Sequence, residues 1–154
     1  MRRWHYSHKA SGSLRNNGIV GRTAVRATAR GGMTKKLLVS VVDDDQFFRE
    51  SMRRLMRSYI AEDFASAAVF LASPRLAETA CLIADVNMPA MTGIELFRHL
   101  IDVGRAIPTI LVTAYPNDVD RTRALNEGVV CYLRKPVDEQ HLKRHLCAAL
   151  TSGK

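Results

Sequence analysis

The stretch Leu37-Leu38-Val39-Ser40-Val41-Val42-Asp43-Asp44-Asp45 places three consecutive aspartates directly after a short, mostly apolar run. A run of this length and composition is typical of a buried strand, so the carboxylates stand where that strand ends. Two carboxylates about 4 Å apart repel each other by roughly 1 kcal/mol in water and by about 4 kcal/mol at an effective dielectric of 20. The triplet therefore indicates either a site for a cation or a solvated turn in which an aspartate caps the next helix.

Three later apolar runs also end in polar residues. They are Cys81-Leu82-Ile83-Ala84 before Asp85, Thr109-Ile110-Leu111-Val112 before Thr113, and Val129-Val130-Cys131-Tyr132-Leu133 shortly before Lys135-Pro136. Segments long enough for a helix separate these runs, which predicts a parallel sheet covered by helices on both faces. Ligands of such sheets bind beyond the carboxyl ends of the strands, so we expect these polar residues to meet there.

The predicted fold class is α/β, a doubly wound five-stranded parallel sheet in the order 2-1-3-4-5. The expected strands are residues 37–42, 62–65, 80–84, 109–112 and 129–133. The expected helices are residues 46–58, a brief one that ends before Ser73, one that begins near Thr92, 118–127 and 138–150. Asp45 is expected to begin the first helix, Thr92 to cap the third and Gly128 to close the fourth. Arg49 is expected on an exposed, charged face of the first helix.

Basic residues are concentrated at the N-terminus. The chain of 154 residues has a formal net charge of +8, yet residues 1–36 hold nine Lys or Arg and no acidic residue, which leaves 14 basic against 15 acidic residues. We predict a disordered basic extension over residues 1–34 and one folded domain over 35–152. Three origins of the extension stay open: a misassigned start codon before Met33, a basic arm that contacts nucleic acid or an acidic surface, or a transit peptide. The nearly neutral remainder is not expected to bind DNA directly.

The cysteines and the hydropathy of the chain predict the cellular compartment. Cys81, Cys131 and Cys147 lack the spacing of a metal site, and free thiols favour a reducing cytoplasm. No apolar stretch approaches 18 residues, so neither a membrane span nor a membrane partner is expected.

Four motifs in order resemble the receiver domain of bacterial two-component response regulators. They are Val-Asp-Asp-Asp at 42–45, Asp85-Val-Asn-Met-Pro followed by Gly93, Val-Thr-Ala at 112–114, and Lys135-Pro136. The resemblance runs from about residue 36 to 150, and the segments 49–52 and 64–68 are most similar to receivers of the nitrogen-fixation regulator type. It implies the flavodoxin-like receiver fold and a signalling protein that is not an enzyme beyond its own phosphoryl transfer.

The resemblance also implies the site residues. Asp85 accepts the phosphoryl group, and a metal is held by Asp85, Asp44, the backbone carbonyl of Asn87 and, through water, Asp43. Carboxylate oxygens without His or Cys select Mg²⁺, with Mn²⁺ possible. Thr113 and Lys135 contact the phosphoryl group, and Pro136 forms a cis peptide bond with Lys135. Tyr132 is the switch aromatic that turns inward as Thr113 moves; the alternative is a half-buried strand aromatic.

The predicted function is a single-domain response regulator, because little sequence follows the last helix. It takes phosphate from a histidine kinase or a histidine phosphotransfer protein, and it signals to an unknown protein target through helix 4, strand 5 and helix 5. One alternative is an aspartyl-phosphate phosphatase, although Asn87 stands where such enzymes carry a carboxylic acid. Another is a nucleic-acid-associated protein that uses the N-terminal arm.

Overall fold

The computed structural model of this chain describes residues 26–29 and 33–152. The strands are β1 (Arg26–Ala29), β2 (Met33–Lys36), β3 (Leu38–Val42), β4 (Ile60–Phe64), β5 (Thr79–Asp85), β6 (Thr109–Thr113) and β7 (Cys131–Arg134). The helices are α1 (Gln46–Leu55), α2 (Ala67–Leu71), α3 (Gly93–Asp102), α4 (Asp118–Glu127) and α5 (Glu139–Ser152), with a 3₁₀ helix at Pro74–Glu78.

Five of the strands form one parallel sheet in the order β4-β3-β5-β6-β7. Numbered along the chain, this order is 2-1-3-4-5, so the predicted fold class is confirmed. Each predicted strand is found within two residues of its expected bounds. Helix α1 ends at Leu55, earlier than expected, because the chain must turn back within a few residues to enter β4 at Ile60; the Tyr59 N–H donates to the Met56 carbonyl within this turn, at 2.9 Å.

The sheet has a core on each face, as a doubly wound fold requires. Successive side chains of a strand point to opposite faces, so Leu82 of β5 joins one core and Ile83 joins the other. The first core is completed by residues such as Phe70 and Phe97, and the second by residues such as Met52 and Leu142. The continuous apolar strands of the sequence are therefore buried on both sides.

Strands β1 and β2 pair antiparallel, with Arg26 opposite Lys36. This pair begins inside the segment predicted to be disordered, so that prediction is wrong for residues 26–29 and 33–34. The backbone N–H and C=O groups of each strand find partners on the other strand, and this pairing leaves no signal in the apolar periodicity from which disorder was predicted. The rest of the predicted extension lies outside the described residues.

The helix ends follow the predicted signals. The Asp45 carboxylate accepts the Phe47 N–H at 2.9 Å and so begins α1, and the Thr92 hydroxyl accepts the Glu95 N–H at 3.1 Å at the start of α3. Gly128 closes α4 with a φ of 108°, a left-handed conformation that favours glycine. None of the helices described is both long enough and apolar enough to cross a bilayer.

Candidate functional site

Three carboxylates meet at the carboxyl edge of the sheet. Asp43 and Asp44 directly follow β3, Asp85 ends β5, and these two strands are parallel neighbours, so their exits coincide. One oxygen from each carboxylate lies within 4.8 Å of the other two. Asp43 is fully buried and Asp85 is buried, whereas Asp44 is exposed. Three hard oxygen donors without nitrogen or sulfur fit the predicted Mg²⁺ or Mn²⁺, and the exposed side leaves room for the waters that Mg²⁺ keeps.

Lys135 reaches the same carboxylates from the end of β7. Its ammonium lies 2.6 Å from Asp43 Oδ2 and 3.5 Å from Asp85 Oδ1. The Lys135 N–H donates to the Thr113 carbonyl at 2.8 Å, which ties the exit of β7 to that of β6. The Lys135–Pro136 peptide bond is cis, as the resemblance implied. Residues from four separate strand exits are thus brought together.

Burial dominates the electrostatics of the two inner carboxylates. It raises the pKa of Asp43, against the opposing effects of hydrogen bonds from Lys135 and from the Asp45 N–H at 2.8 Å. Burial also raises the pKa of Asp85, and the negative charge of Asp43 adds to the rise. One ammonium therefore does not offset the negative charge of the cluster, and the cluster favours the gain of a cation or a proton.

Thr113 and Asn87 are joined by a hydrogen bond. The buried Thr113 Oγ1 accepts from Asn87 Nδ2 at 2.9 Å and from the Tyr115 N–H at 3.0 Å. A hydroxyl oxygen has two lone pairs, so these two donors leave the Thr113 proton as the group free to be donated. The Asn87 backbone N–H also donates, to Asp85 Oδ1 at 3.4 Å, and the metal-binding role that the resemblance implied for the Asn87 carbonyl stays a prediction.

Tyr132 is buried rather than half-buried, with 9% of its surface exposed. Its ring belongs to the core on the α3 face of the sheet. Within the described part of the chain its hydroxyl has no hydrogen-bond partner. The alternative of a half-buried aromatic is therefore wrong, and the ring is buried already in this conformation. The switch role of Tyr132 stays a prediction.

Sequence reasoning missed Phe48. Its ring lies beneath the Lys135 ammonium, which is 4.1 Å from the ring centroid. Helical spacing of apolar residues indicates at most which face of a helix is buried. A contact across 87 residues of sequence depends on how α1 packs beside the end of β7, which periodicity does not report.

The prediction that Arg49 lies on an exposed face of α1 is wrong. Its side chain is only 15% exposed, and its Nε donates to Asp63 Oδ2 at 2.8 Å. Its Nη1 donates to the backbone carbonyl of Asp43 at 2.7 Å, while Arg53 pairs with the other oxygen of Asp63. Because β4 lies beside β3, Asp63 stands next to the first turns of α1. Arg49 thereby ties the ends of both strands together behind the carboxylates.

Gly93 lies against the main chain of Asp85. A Cβ at this position would stand 2.4 Å from the Asp85 carbonyl oxygen. The sequence showed Gly93 only as part of a motif, without a reason for glycine. The structure supplies it: α3 begins so close to the end of β5 that a side chain does not fit.

A family model for the response regulator receiver domain matches residues 39–147 of this chain. The response regulator protein TodT of Pseudomonas putida is 34% identical over 115 residues, which cover 73% of this chain and 51% of that protein. The transcriptional regulatory protein FixJ of Azorhizobium caulinodans is 32% identical over 109 residues, which cover 70% and 52%. This chain therefore spans about half the length of the curated relatives it matches.

The solved structures agree with the family match. The response regulator receiver protein from Burkholderia phymatum is 40% identical with a TM-score of 0.64, and the match covers 75% of this chain and 95% of that one. The nitrogen-fixation regulator type suggested by the sequence is only loosely supported, by the likeness to FixJ.

Proposed function

Because this chain belongs to the response regulator receiver domain family, we propose that it accepts a phosphoryl group on Asp85 from a histidine kinase or a histidine phosphotransfer protein. Receiver domains of response regulators work with histidine kinases in two-component signalling. One observation carries the proposal for Asp85: its carboxylate lies beside two further carboxylates and within 3.5 Å of the Lys135 ammonium.

The reaction is a transfer between a nitrogen and an oxygen. A carboxylate oxygen of Asp85 attacks the phosphorus of a phosphohistidine, the P–N bond breaks, and its electron pair stays on the imidazole nitrogen. The product is a mixed anhydride, from which water later releases phosphate and restores the carboxylate. Within the described residues the hydrogen bond and the ion pair of this carboxylate both fall on Oδ1, so Oδ2 is the less engaged of its two oxygens.

Catalysis by this site is mainly positioning and charge neutralisation, because the transition state of phosphoryl transfer is loose and carries its charge on the equatorial oxygens. Lys135 lies between Asp43 and Asp85, where its ammonium can stabilise those oxygens. The free proton of the Thr113 hydroxyl can be donated to one of them. Asp43, Asp44, Asp85 and Asn87 would hold Mg²⁺, which when bound neutralises further negative charge on the phosphoryl group.

The residues that contact the phosphoryl group transmit the signal to the surface of the domain. Thr113 ends β6 and precedes α4, so a phosphoryl group that recruits its hydroxyl pulls on the chain entering that helix. The surface formed by α4, β7 and α5 then shifts between two packings, with Tyr132 at its inner side. A protein target reads this change. We also place the domain in the cytoplasm, because its three cysteines are free thiols, as is usual in a reducing compartment.

Labelling with acetyl phosphate and Mg²⁺ tests the proposal. Intact mass should rise by one phosphoryl group per chain, and hydroxylamine should remove the label because it cleaves acyl phosphates. Asp85→Asn should abolish labelling. Asp45→Asn is the matched control, since asparagine caps a helix as well as aspartate does and Asp45 is assigned no part in the site. Equal labelling of the Asp85→Asn variant and the unaltered chain would exclude Asp85 as the acceptor.

A further inference from the structure

We infer that Phe48 is a positioning residue for Lys135: its ring holds the lysine ammonium beside the carboxylates through a cation–π contact. The inference deepens the proposed function, on which its catalytic part rests. The ammonium lies 4.1 Å from the ring centroid, well inside the distance of about 6 Å at which such contacts are significant.

The surroundings of the ammonium make this contact effective. The Lys135 side chain is 16% exposed, and its carboxylate partner Asp43 is fully buried. With little water around it, the ammonium gains more from the negative face of a ring than it would on an open surface. Within the described residues, the ammonium contacts the carboxylates of Asp43 and Asp85 and the ring of Phe48.

The ring itself is held by its neighbours. Phe48 lies in the first turn of α1, which Asp45 caps. Like Leu133 and Val137 on either side of Lys135, it is partly buried and packs against the core on the α1 face of the sheet. Phe47, the residue directly before Phe48 on the same helix, is 80% exposed. The two phenylalanines thus offer the same substitution in two different environments.

The Phe48 ring differs from the carboxylates as a partner of Lys135, because the ring carries no net charge. A divalent cation among the carboxylates competes with Lys135 for Asp43, because both bind the same negative charge. The ring does not take part in that competition, so it still holds the ammonium near Asp85 when the carboxylates are occupied. Loss of the ring should therefore slow phosphoryl transfer while leaving Mg²⁺ binding unchanged or tighter.

Three variants test this: Phe48→Leu removes the ring but keeps an apolar side chain, Phe48→Tyr keeps an aromatic ring, and Phe47→Leu is the control. Phe48→Leu should lower the rate of acetyl phosphate labelling at saturating Mg²⁺ by roughly 2- to 30-fold, the range expected for a partly desolvated cation–π contact. The Mg²⁺ dissociation constant, measured by calorimetry without a phosphodonor, should not rise. Phe48→Tyr should restore the rate to within about twofold, and Phe47→Leu should leave both quantities unchanged.

A spectroscopic readout tests the contact without any phosphoryl transfer. In the Mg²⁺-free protein, the ring current of Phe48 should shift the Lys135 side-chain proton resonances upfield; the shift should vanish in Phe48→Leu and persist in Phe48→Tyr. The inference is overturned if the shift is absent, if Phe48→Leu labels at the rate of the unaltered chain, if labelling and Mg²⁺ affinity fall together, or if Phe48→Tyr behaves like Phe48→Leu. An unaltered chain that shows the shift but takes no label would confirm the contact and refute the proposed function instead.

Discussion

Replacement of Gly93 by alanine should damage both stability and phosphoryl transfer, because it drives a methyl group into the main chain of the proposed nucleophile. The new Cβ would lie 2.4 Å from the carbonyl oxygen and 2.9 Å from the carbonyl carbon of Asp85, and 3.1 Å from Leu111 Cδ2. Ordinary contacts between such atoms are about 3.5 Å or longer, so α3 and the end of β5 must separate by roughly 1 Å.

That separation has no easy route. The Gly93 N–H donates to the Val86 carbonyl at 3.2 Å, and the Val86 N–H donates to the Val112 carbonyl at 2.8 Å. Val86, directly after Asp85, is therefore hydrogen-bonded both to the start of α3 and to β6. Overpacking of this kind costs about 1–3 kcal/mol in the free energy of unfolding. At about 4 °C per kcal/mol for a domain of this size, the Tm should fall by roughly 4–12 °C. A displacement of about 1 Å at the reacting carboxylate should slow labelling by on the order of 100-fold.

Thermal unfolding and acetyl phosphate labelling measure the two effects, with labelling done well below the transition. Gly104→Ala is the matched control: nothing lies within 4 Å of its added Cβ, but its φ of +75° strains an alanine. It should cost about 1–2 kcal/mol without any change in labelling. If Gly93→Ala melts and labels as the unaltered chain does, the close approach of α3 to Asp85 does not constrain the site.

Three further predictions concern charge and domain limits. Burial raises the pKa of Asp85 and of Asp43, so their ionisation opposes folding: the stability they contribute is complete at low pH and is lost as the pH rises through the raised pKa values. In metal-free protein, Asp85→Asn should therefore raise the Tm most at neutral pH, and the gain in Tm should shrink on acidification. A gain in Tm that does not change with pH would contradict the raised pKa of Asp85. Lys135→Ala should leave Mg²⁺ binding intact or tighter, since the ammonium competes for Asp43, but phosphodonor should no longer alter amide hydrogen exchange in α4; a normal exchange response would show that Lys135 does not couple the site to that helix. Deletion of residues 1–32 removes β1, which pairs with β2 in a sheet separate from the five-stranded one, so it should change neither the Tm nor labelling. A large loss of either would assign the basic segment a part in the fold or the site.

The sequence was sufficient for the layout of the fold. Continuous apolar runs such as 109–112, separated by helix-length segments, indicated strands buried on both faces. Because the strands are parallel, every strand exit lies at one edge of the sheet, so the sequence alone predicts that Asp43, Asp85 and Lys135 come together. The helix ends at Asp45 and Gly128 followed from capping chemistry alone. These features are predictable because they depend on residues adjacent in the chain and on rules common to all parallel sheets.

Only the tertiary structure showed which neighbours hold the site in place. The ring of Phe48 under Lys135, the guanidinium of Arg49 on the Asp43 carbonyl, and the main chain of Asp85 against Gly93 each join different elements. Hydrophobic periodicity distinguishes a buried face from an exposed one, but it does not specify the distance between two elements or the side-chain conformation at their contact. Those depend on how whole helices pack against the sheet. The sequence thus determined which chemical groups gather at the carboxyl edge, and packing alone decided what supports them, because side-chain contacts between distant residues are a property of the assembled core.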